Sequence, residues 1–176
     1  PDGSFSVTAD AQLSDNVDLL FLDEAGNETV FTPETYESPD GTIVLGYGGG
    51  TVRGPEDMEL EVPAGAISSQ GVMKLSKLET EQFTASIPTG TEFVAGFHIN
   101  LGDSHRYTNE EMDFSAPLPD TPEIAQEDQL LVYLEVEFRG QSYFYLIEEA
   151  RVVGDRFVTQ SPPFLGITTD GNHLVV

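Results

Sequence analysis

The chain has 176 residues, of which 31 are acidic and only 7 are Lys or Arg, so its formal net charge at pH 7 is −24. Binding to nucleic acid or to an anionic membrane surface requires clustered Lys and Arg side chains, and this composition excludes both kinds of partner. The sequence contains no cysteine, which rules out disulfides, thiolate nucleophiles and Cys-ligated metal centres.

The acidity has three open explanations. It can keep a surface protein dissolved and apart from its own copies, it can be an adaptation to a saline medium, or it can supply ligands for divalent cations. No stretch of about 18 apolar residues predicts a membrane-spanning segment. The chain begins at Pro1 without a visible signal peptide, and we expect it to be a mature or excised part of a longer protein.

Residues 1–32 predict a small N-terminal β unit. Residues 4–8 alternate between polar and apolar side chains, and residues 17–22 form a mostly apolar run. Gly26 lies in a turn at a position that favours positive φ, and a return strand starts at residue 29. This unit is too small to bury a core alone, so we interpret it as an appended hairpin or as the tail of a preceding module.

The segment 58–67, M-E-L-E-V-P-A-G-A-I, carries the clearest local pattern. Apolar and acidic residues alternate up to Val62, as in a strand with one face in a core. Pro63 ends the strand, and Gly65 supplies a turn that few other residues can make. The residues predicted to be buried here and in later strands are Val62, Ile67, Phe97, Ile99 and Phe114.

Further alternation predicts strands at 43–47, 71–78, 93–101 and 112–116, with the polar stretch 103–111 as a connection. Three hairpins follow: 130–138 with 141–147 around Arg139-Gly140, 150–153 with 156–159, and 164–168 with 173–176. No stretch has helical periodicity. The sequence therefore predicts an all-β fold, an antiparallel β-sandwich of Ig-like type over residues 33–176, preceded by the unit 1–32.

Residues 38–167 resemble the ZU5 domain family and its bacterial extracellular relatives. The resemblance rests on the order of several motifs: Gly48–Gly50, the strand closed by P-A-G-A, residues 72–78, and the strand 93–101. Then come the segment 112–118 that ends in F-x-x-P, the aromatic hairpin 130–147 and the Phe-containing element 163–167. The resemblance implies a β-sandwich that works through protein–protein contacts inside larger chains.

Some members of that family cleave themselves at an H-F-S sequence near the end of the domain. This chain has Pro163, Phe164 and Leu165 there, and so it lacks both the base and the hydroxyl nucleophile that an acyl shift needs. Self-cleavage is therefore not expected, and we expect no enzymatic activity. No G-x-S-x-G motif occurs, and a hydrolase ranks last among the functions considered.

Calcium is the one metal that the sequence keeps open. Asp15, Asn16 and Asp18 cluster before a predicted strand, and Asp23 and Asn27 follow it together with Glu24. Such oxygen-rich loop ends suit a hard cation, although they do not match the EF-hand pattern and solvated turn residues are the more common explanation.

Other candidate sites have weaker patterns. A zinc site from His98, His105 and a carboxylate has no supporting ligand spacing. Glu135 and Glu137 share one strand face, as glycosidase carboxylates can, but an acidic solvent-facing strand produces the same pair. Tyrosines 133, 143 and 145 could form a glycan-binding surface, an idea weakened by the absence of Trp.

The function expected from the sequence is a non-catalytic β-sandwich module of a larger secreted or cell-surface protein. It would serve structure, adhesion or filament assembly through contacts with itself or with neighbouring domains, and it could form homo-oligomers. A glycan- or calcium-binding module is the alternative.

Overall fold

The computed structural model describes residues 19–22, 26, 28–31, 35–37, 41–68, 70–102, 106–120 and 123–176. The chain divides into two compact units, Pro1–Pro33 and Glu34–Val176. In the smaller unit, strand β1 (Leu19–Leu22) pairs antiparallel with β2 (Glu28–Phe31), with Leu19 opposite Phe31. Gly26 between them has φ of +82°, as the turn prediction requires.

The larger unit consists of antiparallel strands that are 3 to 13 residues long. Their bounds are β3 (Thr35–Glu37), β4 (Ile43–Leu45), β5 (Gly50–Arg53), β6 (Glu59–Val62), β7 (Gly71–Lys77), β8 (Ala95–Asn100), β9 (Tyr107–Pro117), β10 (Gln129–Phe138), β11 (Gln141–Val153), β12 (Arg156–Thr159), β13 (Ile167–Thr169) and β14 (Gly171–Val175). The one helical element in the described part of the chain is a 3₁₀ turn at Thr80–Gln82. The prediction of an all-β antiparallel fold is confirmed.

The strands form one continuous sheet rather than two separate layers. Their order is β3-β4-β7-β8-β14-β10-β11-β12-β9-β6-β5, with β13 attached to β9. The end strand β5 lies against β7, close to the opposite end of the sheet. The sheet of this unit therefore curls until it nearly closes. Where a sandwich would have two separate sheets, opposite parts of this one sheet face each other across a barrel-like core.

Apolar side chains from all around the curled sheet fill its interior. Phe97 of β8 and Phe114 of β9 stack across it with ring centroids 3.7 Å apart and planes inclined by 12°. The five residues predicted as core are all buried, with exposed fractions of 0–1%. After β6 the chain turns at Gly65, whose φ is +87°, and Ala66 and Ile67 return to the core as the P-A-G-A pattern predicts.

Three sequence predictions need correction. The stretch 107–111 was expected to be a connection but forms the first half of β9, because β13 pairs with it and the Thr108 hydroxyl donates to the Glu110 carbonyl at 2.7 Å. Residues 141–153 form the single strand β11 rather than two strands. The third hairpin is wrong, since β13 pairs with β9 while β14 lies between β8 and β10.

A loop covers part of the outer face of the sheet. After β7 the chain runs through residues 78–94 and crosses over β8, where only glycine fits. A Cβ atom on Gly96 would lie 2.7 Å from the Leu78 carbonyl oxygen and 2.9 Å from the Phe83 ring. The Phe83 ring then meets Phe144 of β11 edge-on, with centroids 5.5 Å apart.

Candidate binding site

The β10–β11 hairpin extends beyond its neighbours in the sheet. The last pair between β10 and β14 is Leu134 with His173, and β12 pairs with β11 only over residues 150–153. Beyond those points, residues 135–144 pair only with each other, and we call residues 133–146 of this hairpin the ribbon. Arg139 and Gly140 have φ of 54° and 76°, the geometry of a type I′ turn, which confirms the predicted hairpin.

One face of the ribbon is aromatic and exposed to solvent. Tyr143 lies opposite Val136 and Tyr145 opposite Leu134, so all four side chains share that face. Tyr143 is 47% exposed, Tyr145 58% and Phe138, at the tip, 60%. Three large aromatic rings held open on one two-stranded element form an apolar patch of the kind that marks an interaction site.

A groove of about 670 Å³ lies between the ribbon and the neighbouring end of the sheet. Its walls are residues 134–137 of β10 and, across from them, Asn100, Gly102, Arg106, Thr169 and Asp170. Asp170 Oδ2 accepts the Leu101 N–H at 3.0 Å, and Asn100 Oδ1 accepts the Gly102 N–H at 2.7 Å. The size is typical of small-molecule sites, and the mouth of a curled sheet is a usual place for one.

Glu135 anchors the covering loop and is not a free acid. Its Oε1 accepts the backbone N–H groups of Thr84 and Ala85 at 2.6 and 2.7 Å, and its Oε2 accepts Asn172 Nδ2 at 2.8 Å. Asn172 Oδ1 in turn accepts a hydrogen bond from His98 Nδ1 at 2.8 Å. Both oxygens of Glu135 therefore accept hydrogen bonds from groups of the protein itself.

A second polar cluster surrounds Glu148 of β11. This carboxylate is only 2% exposed and accepts hydrogen bonds from the Ser161 hydroxyl and from the Glu149 N–H. Burial raises the pKa of Glu148, and the nearby carboxylates Glu111 and Asp113 raise it further. Burial and the carboxylates of Glu111 and Glu61 likewise raise the pKa of Asp113.

His173 lies inside the core, a position that the sequence analysis did not assign. Its ring is fully buried and stacks on Phe97 with centroids 4.9 Å apart. Nδ1 donates to the Gly171 carbonyl at 3.0 Å, while Nε2 has no partner among the residues that the structure describes. Burial lowers the pKa of His173 from 6.5 to about 3, so this histidine is neutral at pH 7.

The predicted site residues fall into three groups. The calcium candidates Asp15, Asn16, Asp18, Asp23 and Asn27 lie outside the described residues, as does His105. His98 is half-buried and bonded to Asn172, on the outer face of β8. Tyr143 and Tyr145 are exposed as expected, whereas Tyr133 is half-buried against Phe144 with ring centroids 6.3 Å apart.

Residues missed by sequence reasoning are those of the groove. Asn100 ends β8, Arg106 lies between β8 and β9, and Asp170 lies between β13 and β14. The pairing of β14 with both β8 and β10 brings them near the ribbon. No local pattern could have indicated this. In the described part of the chain, no group of three or more His, Asp or Glu side chains is arranged to hold a metal ion.

No known family model matches the chain, and a search of curated proteins found no significant match. Within the described ranges, none of the helices has the length and apolar character needed to span a membrane.

Proposed function

We propose that this protein is a non-catalytic β module of a larger secreted or cell-surface protein, and that it binds another protein through the ribbon. The observation that carries the proposal is the aromatic face formed by Phe138, Tyr143 and Tyr145. Tyrosine and other aromatic residues are enriched at protein interfaces because they offer large rigid contact areas with a polar end. The resemblance to ZU5 domains supports the same kind of function.

The charge of the chain restricts the partner. With 31 acidic residues against 7 Lys and Arg, the protein attracts basic surfaces and repels acidic ones, including its own copies. The ribbon adds one cation near its tip, since the Arg139 guanidinium lies 5.0 Å from the centre of the Phe138 ring. The aromatic face and the net negative charge of the chain together lead us to expect a partner segment that combines apolar contact residues with Lys or Arg.

Selection from a library of random dodecapeptides displayed on phage tests this proposal. Peptides selected on the wild-type protein are measured by calorimetry against a Tyr143→Ser/Tyr145→Ser variant and against Tyr47→Ser, which removes an exposed tyrosine elsewhere. Tyr47 is 68% exposed, so its loss should not disturb the fold.

The expected result is a set of basic, apolar peptides whose affinity falls by about tenfold or more in the ribbon variant and stays unchanged in Tyr47→Ser. Peptides that bind the two variants equally, or the failure to select any peptide, would contradict the proposal. Circular dichroism and the melting temperature of each variant show whether a lost affinity reflects a lost fold.

The groove favours a second candidate, the binding of a glycan. Tyr143 and Tyr145 share the face of Leu134 and Val136, and Leu134 and Val136 form part of one groove wall. Across the groove, the Arg106 guanidinium makes no ion pair with any described residue and can donate to hydroxyl groups. Titration with neutral oligosaccharides, followed by amide chemical shifts of Gly102 and Asp170, tests this candidate. The absence of shifts at millimolar sugar would reject it.

A further inference from the structure

The free edge of β11 in the ribbon has no described strand beside it. β11 pairs with β10 along the ribbon, and its other neighbour, β12, begins only at the pair Ala150–Thr159. The nearest backbone bonds on that side run from Gly166 N–H to the Ile147 carbonyl and from Gln160 N–H to the Glu149 carbonyl. No described residue pairs with the outward backbone groups between residues 141 and 146.

The register of the hairpin shows which groups these are. Opposed residues in an antiparallel pair alternate between those that exchange hydrogen bonds and those whose N–H and C=O point away from each other. Phe138 and Gln141 flank a two-residue turn and so exchange bonds. The residues of β11 whose N–H and C=O point to the free edge are therefore Ser142, Phe144 and Leu146.

Within the part of the chain that the structure describes, this edge has none of the local protection that strand edges usually carry. In native proteins, a free strand edge is protected against pairing with another chain by Lys or Pro residues, by charged side chains that point inward, or by a covering helix or loop. Residues 141–146, Q-S-Y-F-Y-L, contain no charge and no proline, although 31 of the 176 residues are acidic. Repulsion between two net charges of −24 opposes the pairing of two copies along the edge.

We propose that this edge accepts an extended basic segment of the partner protein as an additional β-strand. The inference rests on the proposed function and specifies its mode of binding. Main-chain hydrogen bonds to Ser142, Phe144 and Leu146 supply pairing that is independent of sequence, and side chains of the added strand reach the exposed rings of Tyr143 and Tyr145. The charge that repels a second copy attracts Lys and Arg, so charge complementarity selects this occupant.

Amide hydrogen exchange with a selected dodecapeptide gives a direct test. An added strand slows exchange of the N–H groups of Ser142, Phe144 and Leu146 by about tenfold or more, since each gains a hydrogen bond. Tyr143 and Tyr145 already bond to β10, so their exchange does not show the same gain. Protection of alternate amides is the signature of backbone pairing.

A matched pair of proline variants provides the second readout. Ser142 and Glu137 lie directly opposite each other in the ribbon, and each points its N–H away from the partner strand. Proline at either position removes one outward donor without removing a ladder bond. Ser142→Pro should weaken the peptide by about tenfold, whereas Glu137→Pro should weaken it no more than Glu137→Ala does.

The outcomes separate the inference from the proposed function. One outcome is that the selected peptides depend on Tyr143 and Tyr145 and yet leave the amides of Ser142, Phe144 and Leu146 unprotected. That result would refute strand addition, while the proposal that the aromatic face binds a partner would stand. Failure of the library selection would overturn both. Alternate protection that appears without peptide at about 1 M NaCl, together with dimers in light scattering, would identify a second copy as the occupant and refute the basic segment. Protection or shifts caused only by neutral oligosaccharides would likewise refute it.

Discussion

Replacement of Phe97 by alanine tests the packing that closes the core. The Phe97 ring is fully buried between two other rings, Phe114 at 3.7 Å and His173 at 4.9 Å, both nearly parallel to it. Truncation of a buried Phe to Ala costs about 3–5 kcal/mol, and loss of an aromatic pair adds about 0.5–1.5 kcal/mol beyond the buried area. We expect a loss near the upper end of that range, about 4–5 kcal/mol.

Urea denaturation followed by tyrosine fluorescence and circular dichroism measures this loss as a change in unfolding free energy. The matched control is Phe138→Ala, which removes the same side chain where it is 60% exposed and should change stability by about 0.5 kcal/mol or less. A loss below about 2 kcal/mol for Phe97→Ala, or equal losses for the two variants, would refute the assignment of Phe97 to the centre of the core.

Three further predictions concern charge. The pKa of His173 is about 3 in the folded protein and 6.5 ordinarily, so the unfolded chain binds a proton at a higher pH than the folded protein does. The free energy of unfolding should therefore fall as pH drops below 6.5, by up to about 1.4 kcal/mol per pH unit. His173→Phe should flatten that part of the curve of unfolding free energy against pH. Because the pKa of Glu148 is raised in the folded protein, its ionisation destabilises the fold, and this effect grows as pH rises above 4.5. Glu148→Gln should therefore be more stable than wild type at pH 7 and should lose that advantage at pH 4, and a variant less stable at pH 7 would contradict this. The melting temperature should rise between low salt and about 1 M NaCl, where the screening length shrinks to about 3 Å, and a flat or falling profile would show that self-repulsion contributes little.

Local patterns predicted the elements whose structure is decided locally. Pro63 and Gly65 end β6 and turn the chain for reasons that belong to those two residues alone. Arg139-Gly140 likewise fixes the register of the hairpin by the positive φ of both residues. Period-two alternation was enough to place Phe97 and Ile99 in the core, because both lie on the face of β8 that packs inward.

Prediction from local patterns failed where the structure depends on pairing between residues far apart in the sequence. The polar residues 107–111 form a strand only because β13, far along the chain, pairs with them. Glu135 looked like a solvent-facing acid, yet its acceptors are used by backbone donors 50 and 51 residues away and by a side-chain amide 37 residues away. A sequence pattern with a period of two residues carries no information about partners at such separations.

The same limit explains why the ribbon could be foreseen and its edge could not. Exposed tyrosines follow from alternation in 141–147, but an edge is defined by the absence of a neighbour, and that depends on where β12 and β14 end. The uncharged run 141–146 would be an ordinary strand inside a sheet, and it indicates a binding edge only because of its position. At this edge, in a chain of net charge −24, six of its backbone groups have no partner among the described residues, which is the basis for the proposed addition of a basic strand.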